Sequence, residues 1–263
     1  MMKKWSICLF ISAFMMYATT FTADAASKQA QPSSVVDITK ENTYPNPTQD
    51  LPYLEPSKFT KQLLDSANVK IENPELIRLL NESSVSSTPF AIGYRATIYL
   101  GQWPLNYQSL ETSTNWEYQK VNTNFLDNRG GNAPQRLYYR QETQKHVRGG
   151  LTAPIPSEEA VQKMMLNAAM KKTNLPLAFS TVVGIGTKKD HPYQVPAKKL
   201  GYLYAYAPAV NEKGKVTYGE VYVVLKGNKK KIVVKNVTTR GIGAWIPVQD
   251  RLYFSYVVSE QPR

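Results

Sequence analysis

A chain of 263 residues with 42% hydrophobic and 20% charged side chains can bury a substantial core, which excludes a disordered or collagen-like polypeptide and fits one domain better than two large ones. Its formal charge of +12 favours anionic partners through steering and counterion release. Its single cysteine, Cys8, excludes a disulfide framework and a cysteine zinc site.

Residues 1–25 read as an export leader. Lys3 and Lys4 form a positive start, an apolar run extends from Trp5 to Tyr17, and Ala23 and Ala25 supply the small side chains that signal peptidase admits. The competing reading is a retained membrane anchor, but Thr19, Thr20 and Thr22 break the run short of the roughly 20 apolar residues that span a bilayer. Cleavage after Ala25 removes Cys8 together with Lys3, Lys4 and Asp24, leaving a thiol-free chain of charge +11. From Ala26 to Pro56 five prolines (32, 45, 47, 52 and 56) predict an extended tether, poorly ordered up to about Tyr44, ahead of a single domain over 57–263.

Helical spacing begins at Ser57, whose hydroxyl suits an N-cap, with Phe59, Leu63, Leu64 and Ala67 on one face. Asn73, Pro74 and Glu75 then form a second helix start: a capping amide, a proline at the first turn and an acid at the positive end of the dipole. After a serine-rich loop over 81–89, strand character occupies 90–100, 116–126 and 136–147, with a glycine-containing turn at 128–132. A third helix follows Ser157, with Glu158 and Glu159 at its start, Lys171 and Lys172 at its end, and Val161, Met164, Met165 and Ala168 on one side. Four more strands, 200–207, 216–226, 231–237 and 251–258, are linked by turns at Asn211–Lys215 and Gly227–Asn228, which implies antiparallel pairing. Strands in runs and helices in clusters predict an α+β fold, an antiparallel sheet or sheets with about three helices.

The chemistry-bearing patterns are few. Strand alternation places Arg140, Glu142, Gln144 and His146 on one face, an arrangement a general base requires, yet Gln141, Thr143 and Lys145 make the other face polar as well, as in a solvated edge strand. His191 follows Asp190, but neighbours in an extended chain point apart, so no dyad is implied and no metal site is expected. Gly-Ile-Gly triplets at 184–186 and 241–243 suit anion-holding concavities or tight turns. No Gly-x-Ser-x-Gly is present, and no cofactor is expected.

The basic residues carry the strongest signal. Between Lys198 and Arg240 ten cations stand against Glu212 and Glu220. Lys198, Lys199, Lys226, Lys229, Lys230 and Lys231 are the candidate anion-binding residues, the alternatives being solubility and the blocking of sheet edges. Tyr202, Tyr204 and Tyr206 alternate with Leu203, Ala205 and Ala207, so if the small apolar side packs inward, the tyrosines form an aromatic platform for sugar rings beside the lysines.

The leader with its proline-rich continuation, the Asn73-Pro74-Glu75 start, and a tyrosine-rich C-terminal half ending near Tyr253–Val258 together give a chain that resembles the YfkD-like family of Bacillus-type bacteria. That is a group of exported proteins of unassigned function. The resemblance supplies no active site to carry over; it implies a bacterial cell with one membrane and a thick anionic wall. The resulting expectation is an exported, non-catalytic envelope protein binding anionic wall polymer or a membrane surface, with a protein partner in the envelope as a further option and nucleic acid not expected. The alternative is a hydrolase acting on a wall or carbohydrate substrate.

Overall fold

The computed structural model describes residues 32–48, 55–83, 95–227 and 229–263. The predicted leader, the first part of the tether and most of the serine-rich loop lie outside the described residues. In chain order the elements are β1 (Val35–Asp37), α1 (Lys58–Asp65), α2 (Pro74–Glu82), β2 (Arg95–Asp127), β3 (Gln135–Arg140), β4 (Lys145–Arg148), β5 (Gly150–Leu151), α3 (Glu158–Thr173), β6 (Ser180–Val183), β7 (Lys188–Val195), β8 (Leu200–Lys226), β9 (Lys229–Pro247) and β10 (Arg251–Ser259). Among the described residues, three helices and mostly antiparallel strands make this an α+β fold.

Its spine is one long, narrow antiparallel sheet. β8 is central: β2 pairs with it along its whole length, while on its other side β10 pairs with the N-terminal part and β9 with the rest. At about 3.3 Å per residue, the 27 residues of β8 give a strand on the order of 90 Å long. The predicted turn at Asn211–Lys215 is absent. Those residues pair on both sides, with the Ser113–Gln108 stretch of β2 and with the Trp245–Gly241 stretch of β9. The second predicted turn is present: Lys226 pairs with Lys229, and Gly227 takes the positive φ of 58° that a tight hairpin requires.

Along β8, α3 covers Val210, Val216 and Tyr218, whereas α1 and α2 cover Val221 and Val223. These are even and odd positions of an unbroken strand, so the helical layers lie on opposite faces of the sheet. The third cluster, at the N-terminal end of β8, packs Leu203, Ala205 and Ala207 against Tyr139, Val147, Val183 and Val195 from two small two-stranded sheets, β3 with β7 and β4 with β6.

The helix starts follow their local chemistry in two of three cases. Ser57 Oγ accepts from Thr60 N, and Asn73 Oδ1 accepts from Glu75 N. Ser157 instead adopts φ 54° and makes no side-chain cap bond, leaving Glu158 and Glu159 to complement the helix dipole. Residues 33–48 also depart from a free tether: β1 pairs with β10, and the amides of Asn42 and Asn46 both donate to Asp250 Oδ1 and to the carbonyl of Val182.

Where β5 crosses β9, Gly149 leaves no space for a side chain. A Cβ there would lie 2.0 Å from the carbonyl oxygen of Trp245 and 2.6 Å from Pro247 Cδ. Since the obstruction is backbone and a proline ring, Gly149→Ala is expected to cost about 1–3 kcal/mol. The check is urea unfolding, with a lower midpoint and an unchanged slope.

Candidate functional site

Directly paired residues of an antiparallel sheet share a face, so the register at the β8–β9 hairpin defines a surface rung by rung. The first rung is Arg95, Lys226 and Lys229; the second Thr97, Val224 and Lys231; the third Tyr99, Tyr222 and Val233; the fourth Gln102, Glu220 and Lys235. Arg95, Lys226, Lys229, Lys231 and Lys235 are all exposed. Among the described residues of these four rungs, five cations thus stand on one face against a single carboxylate, Glu220. That carboxylate accepts from the Tyr222 hydroxyl at 2.7 Å, which with Asn236 and Lys235 holds it below its ordinary range. Lys235 Nζ lies 5.0 Å from the centre of the Tyr222 ring, which itself packs 5.0 Å from Tyr99. The face is the same one that α3 covers further along β8; beyond that helix it stays open because its side chains are charged or amphipathic.

Lys230 departs from its neighbours. Paired with Leu225, it belongs to the helix-covered face, and its Nζ sits 4.8 Å from the centre of the Phe59 ring. Among the described residues no strand pairs with the edge of β9 here. Instead, Ser66 Oγ accepts from Ile232 N, and Asn68 both accepts from Val234 N and donates to Val234 O. These side chains satisfy the strand edge and hold α1 beside it. Between α1 and the hairpin lies a cleft of about 760 Å³, lined by Phe59, Gln62, Leu63 and Val224 and by Lys226, Lys229, Lys230 and Lys231.

The other predicted residues are placed elsewhere. Lys198 and Lys199 precede β8 and so stand a full strand length from Lys226. Lys199 pairs with Glu260, and Lys198 donates to Asn132. Proximity in sequence therefore overstated the patch, while the register adds Arg95 and Lys235. Arg95 is 131 positions from Lys226 in the chain, and only the long β2–β8 pairing unites them.

The tyrosine row does lie opposite the buried Leu203, Ala205 and Ala207, yet it presents no flat platform. Tyr202 is only 8% exposed; its ring lies parallel to that of Tyr204 within 9° at 6.1 Å, and Phe125 packs 4.9 Å from it. Lys120 Nζ occupies one face of Tyr204, 4.9 Å from its centre, and Tyr206 packs against Tyr253. The ring faces are already taken by neighbours, leaving mainly Phe125 exposed.

The candidate acid–base residues are not assembled. The predicted strand over 136–147 breaks at Gln141, whose buried amide donates to the carbonyls of Val121 and Thr143. Beyond the break, His146 Nε2 meets Gln144, not Glu142. His191 packs edge-on to Tyr193. Gly184 and Gly186 form a tight turn: a Cβ at Gly184 would lie 2.2 Å from Thr43 Oγ1, and Gly186 has φ +81°. Gly241 and Gly243 sit within β9. Among the described residues no three His, Cys, Asp or Glu side chains come close enough to share a metal ion, and no helix is long and apolar enough to cross a membrane.

Fold and site together define an α+β protein of long antiparallel strands whose chemically distinctive feature is a cationic strand end. The chain belongs to the YfkD-like family, whose model, described as YfkD-like protein, matches residues 32–263. It is 60% identical over 264 residues, covering 100% of both chains, to the Bacillus subtilis (strain 168) protein named "Uncharacterized protein YfkD". Among solved structures it was matched to the crystal structure of Lamprey immune protein at 7% identity, over 62% of this chain and 53% of that one, with a TM-score of 0.26.

Proposed function

We propose that this chain is a non-catalytic protein of the bacterial envelope, exported by its leader, that binds a phosphate-bearing anionic surface through the cationic end of the β8–β9 hairpin. The observation that supports this is the convergence of Arg95, Lys226, Lys229, Lys231 and Lys235 on one open face with a single opposing carboxylate. A solubility role does not require such convergence, because scattered charges keep a protein soluble equally well. Edge protection does not require it either, since Ser66 and Asn68 already satisfy the β9 edge at Ile232 and Val234.

Each cation near an anionic surface contributes about 1 kcal/mol, within a Debye length of roughly 8 Å at physiological salt. Replacing Lys229, Lys231 and Lys235 together with glutamine is therefore expected to weaken retention on purified cell walls or anionic vesicles about 100-fold at low salt. Wild-type retention should fall steeply as salt rises. The pair Lys198→Gln and Lys199→Gln, at the far end of β8, is expected to leave retention unchanged. Retention of the triple variant equal to wild type across a salt series would remove this reading.

A further inference from the structure

The cationic end is not built of cations alone. The cleft between α1 and the hairpin has Phe59, Leu63 and Val224 in its lining, and its lysines ring that apolar surface. Lys230 lies over the Phe59 ring, an arrangement in which the stem covers apolar surface while the ammonium stays at the rim. Two large apolar side chains at the same end are exposed on opposite faces of the sheet: Ile98 is 41% exposed and Tyr99 55%. A bare polyphosphate chain offers nothing apolar for these groups to touch. A lipid headgroup carries a negative phosphate at the boundary of an apolar layer, which matches lysines surrounding an apolar cleft. The volume of about 760 Å³ falls within the range of pockets that enclose small organic ligands.

From this juxtaposition we infer that the ligand of the cationic end is an anionic phospholipid in a bilayer surface, its phosphate held by Lys230 with Lys229 and Lys231 in the same cleft lining and its proximal acyl carbons against Phe59 and Leu63. Ile98 and Tyr99 enter the headgroup layer on either side of the hairpin. The inference rests on the proposed anionic-surface function and narrows it from phosphate in general to phosphate on a lipid.

The test compares two probes at matched ionic strength: vesicles containing phosphatidylglycerol, and soluble inorganic polyphosphate. The purified chain is expected to bind the vesicles at least tenfold more tightly than polyphosphate. Phe59→Ala should weaken vesicle binding severalfold and leave polyphosphate binding unchanged. Ile98→Ser, at an exposed position with little packing to lose, should do the same and guards against a folding defect in the first variant. If vesicles and polyphosphate bind equally and neither variant discriminates them, the lipid assignment is overturned while the anionic-surface reading stands. If neither probe binds, both fall.

Discussion

Above about pH 10 the folded chain is expected to lose stability steeply, by about 8 kcal/mol at pH 12. Three of the buried phenols drive this: Tyr107, Tyr139 and Tyr218 are 8%, 1% and 3% exposed. Burial raises all three above the ordinary tyrosine value, Tyr218 to about 12, and the nearby Glu212 carboxyl raises Tyr107 further. In the unfolded chain each phenol ionises near pH 10. Between that pH and its folded value the native state therefore holds a proton that the unfolded state has released, so stability falls as pH rises; below pH 10 the full contribution is present. Each phenol contributes about 1.4 kcal/mol per pH unit, hence about 4 kcal/mol per unit for the three, against a total stability of about 5–15 kcal/mol. Circular dichroism and phenolate absorbance, followed together from pH 8 to 12.5, provide the check. Loss of structure should coincide with a late, cooperative fraction of the 17 tyrosines becoming ionised. Gradual ionisation of all of them near pH 10 with the fold intact would contradict the argument.

Much of the helical layer was legible in the sequence because helix signals are local. Ser57, Asn73 and Pro74 announce their helices within four residues, and the buried side of α3 includes Val161, Met164 and Met165 as its spacing predicts. The long strands were not legible as such. The 33 residues of β2 face 27 of β8, and five register shifts absorb the difference, leaving Leu100, Leu105, Leu110 and Val121 among the residues outside the pairing. Four of the five shifts insert one residue and so change the side-chain phase, and simple alternation fails across the strand even though Leu105 and Val121 end up buried. Residues 101–115 consequently read as a gap between two short strands, and Gly214 read as a turn residue although it lies within β8.

The candidate site shows the same division. Lys226, Lys229, Lys230 and Lys231 were visible because a hairpin turn is a local feature. Their separation into three on the open face and one over Phe59 follows from alternation about that turn. Arg95 and Tyr99 were missed, because their place depends on pairing between distant segments; Lys235 was counted in the basic stretch but not singled out as a site residue. For the tyrosine row the sequence left the inward side open, and nothing in its own strand indicated that Phe125 from β2 and Tyr253 from β10 would pack against it.

Tyr107→Phe is expected to destabilise the fold by about 3–5 kcal/mol, far more than the loss of one hydroxyl in an ordinary setting. The reason is Glu212, a fully buried side chain in the middle of β8. Its Oε1 accepts from the Tyr107 hydroxyl at 2.8 Å and its Oε2 from Thr112 Oγ1 at 2.6 Å. Thr112 in turn lies 3.3 Å from Ser109 Oγ, to which Lys172 Nζ at the end of α3 donates at 2.7 Å. A cation thus reaches the carboxylate only through two hydroxyls. Gly214, two residues along β8, leaves room for this arrangement, because a Cβ there would lie 2.5 Å from the Tyr107 ring and hydroxyl. Without the phenol, one carboxylate oxygen is left without a donor in an apolar site, which is the costly case. Replacing both partners, Tyr107→Phe with Glu212→Met, removes the uncompensated group and leaves Thr112 its contact with Ser109. The double variant is therefore expected to be more stable than Tyr107→Phe alone, with a coupling of about 1–3 kcal/mol by urea unfolding. Costs that simply add across the cycle would show that Glu212 does not depend on Tyr107, and that the polar chain beneath α3 is incidental to the stability of the long sheet.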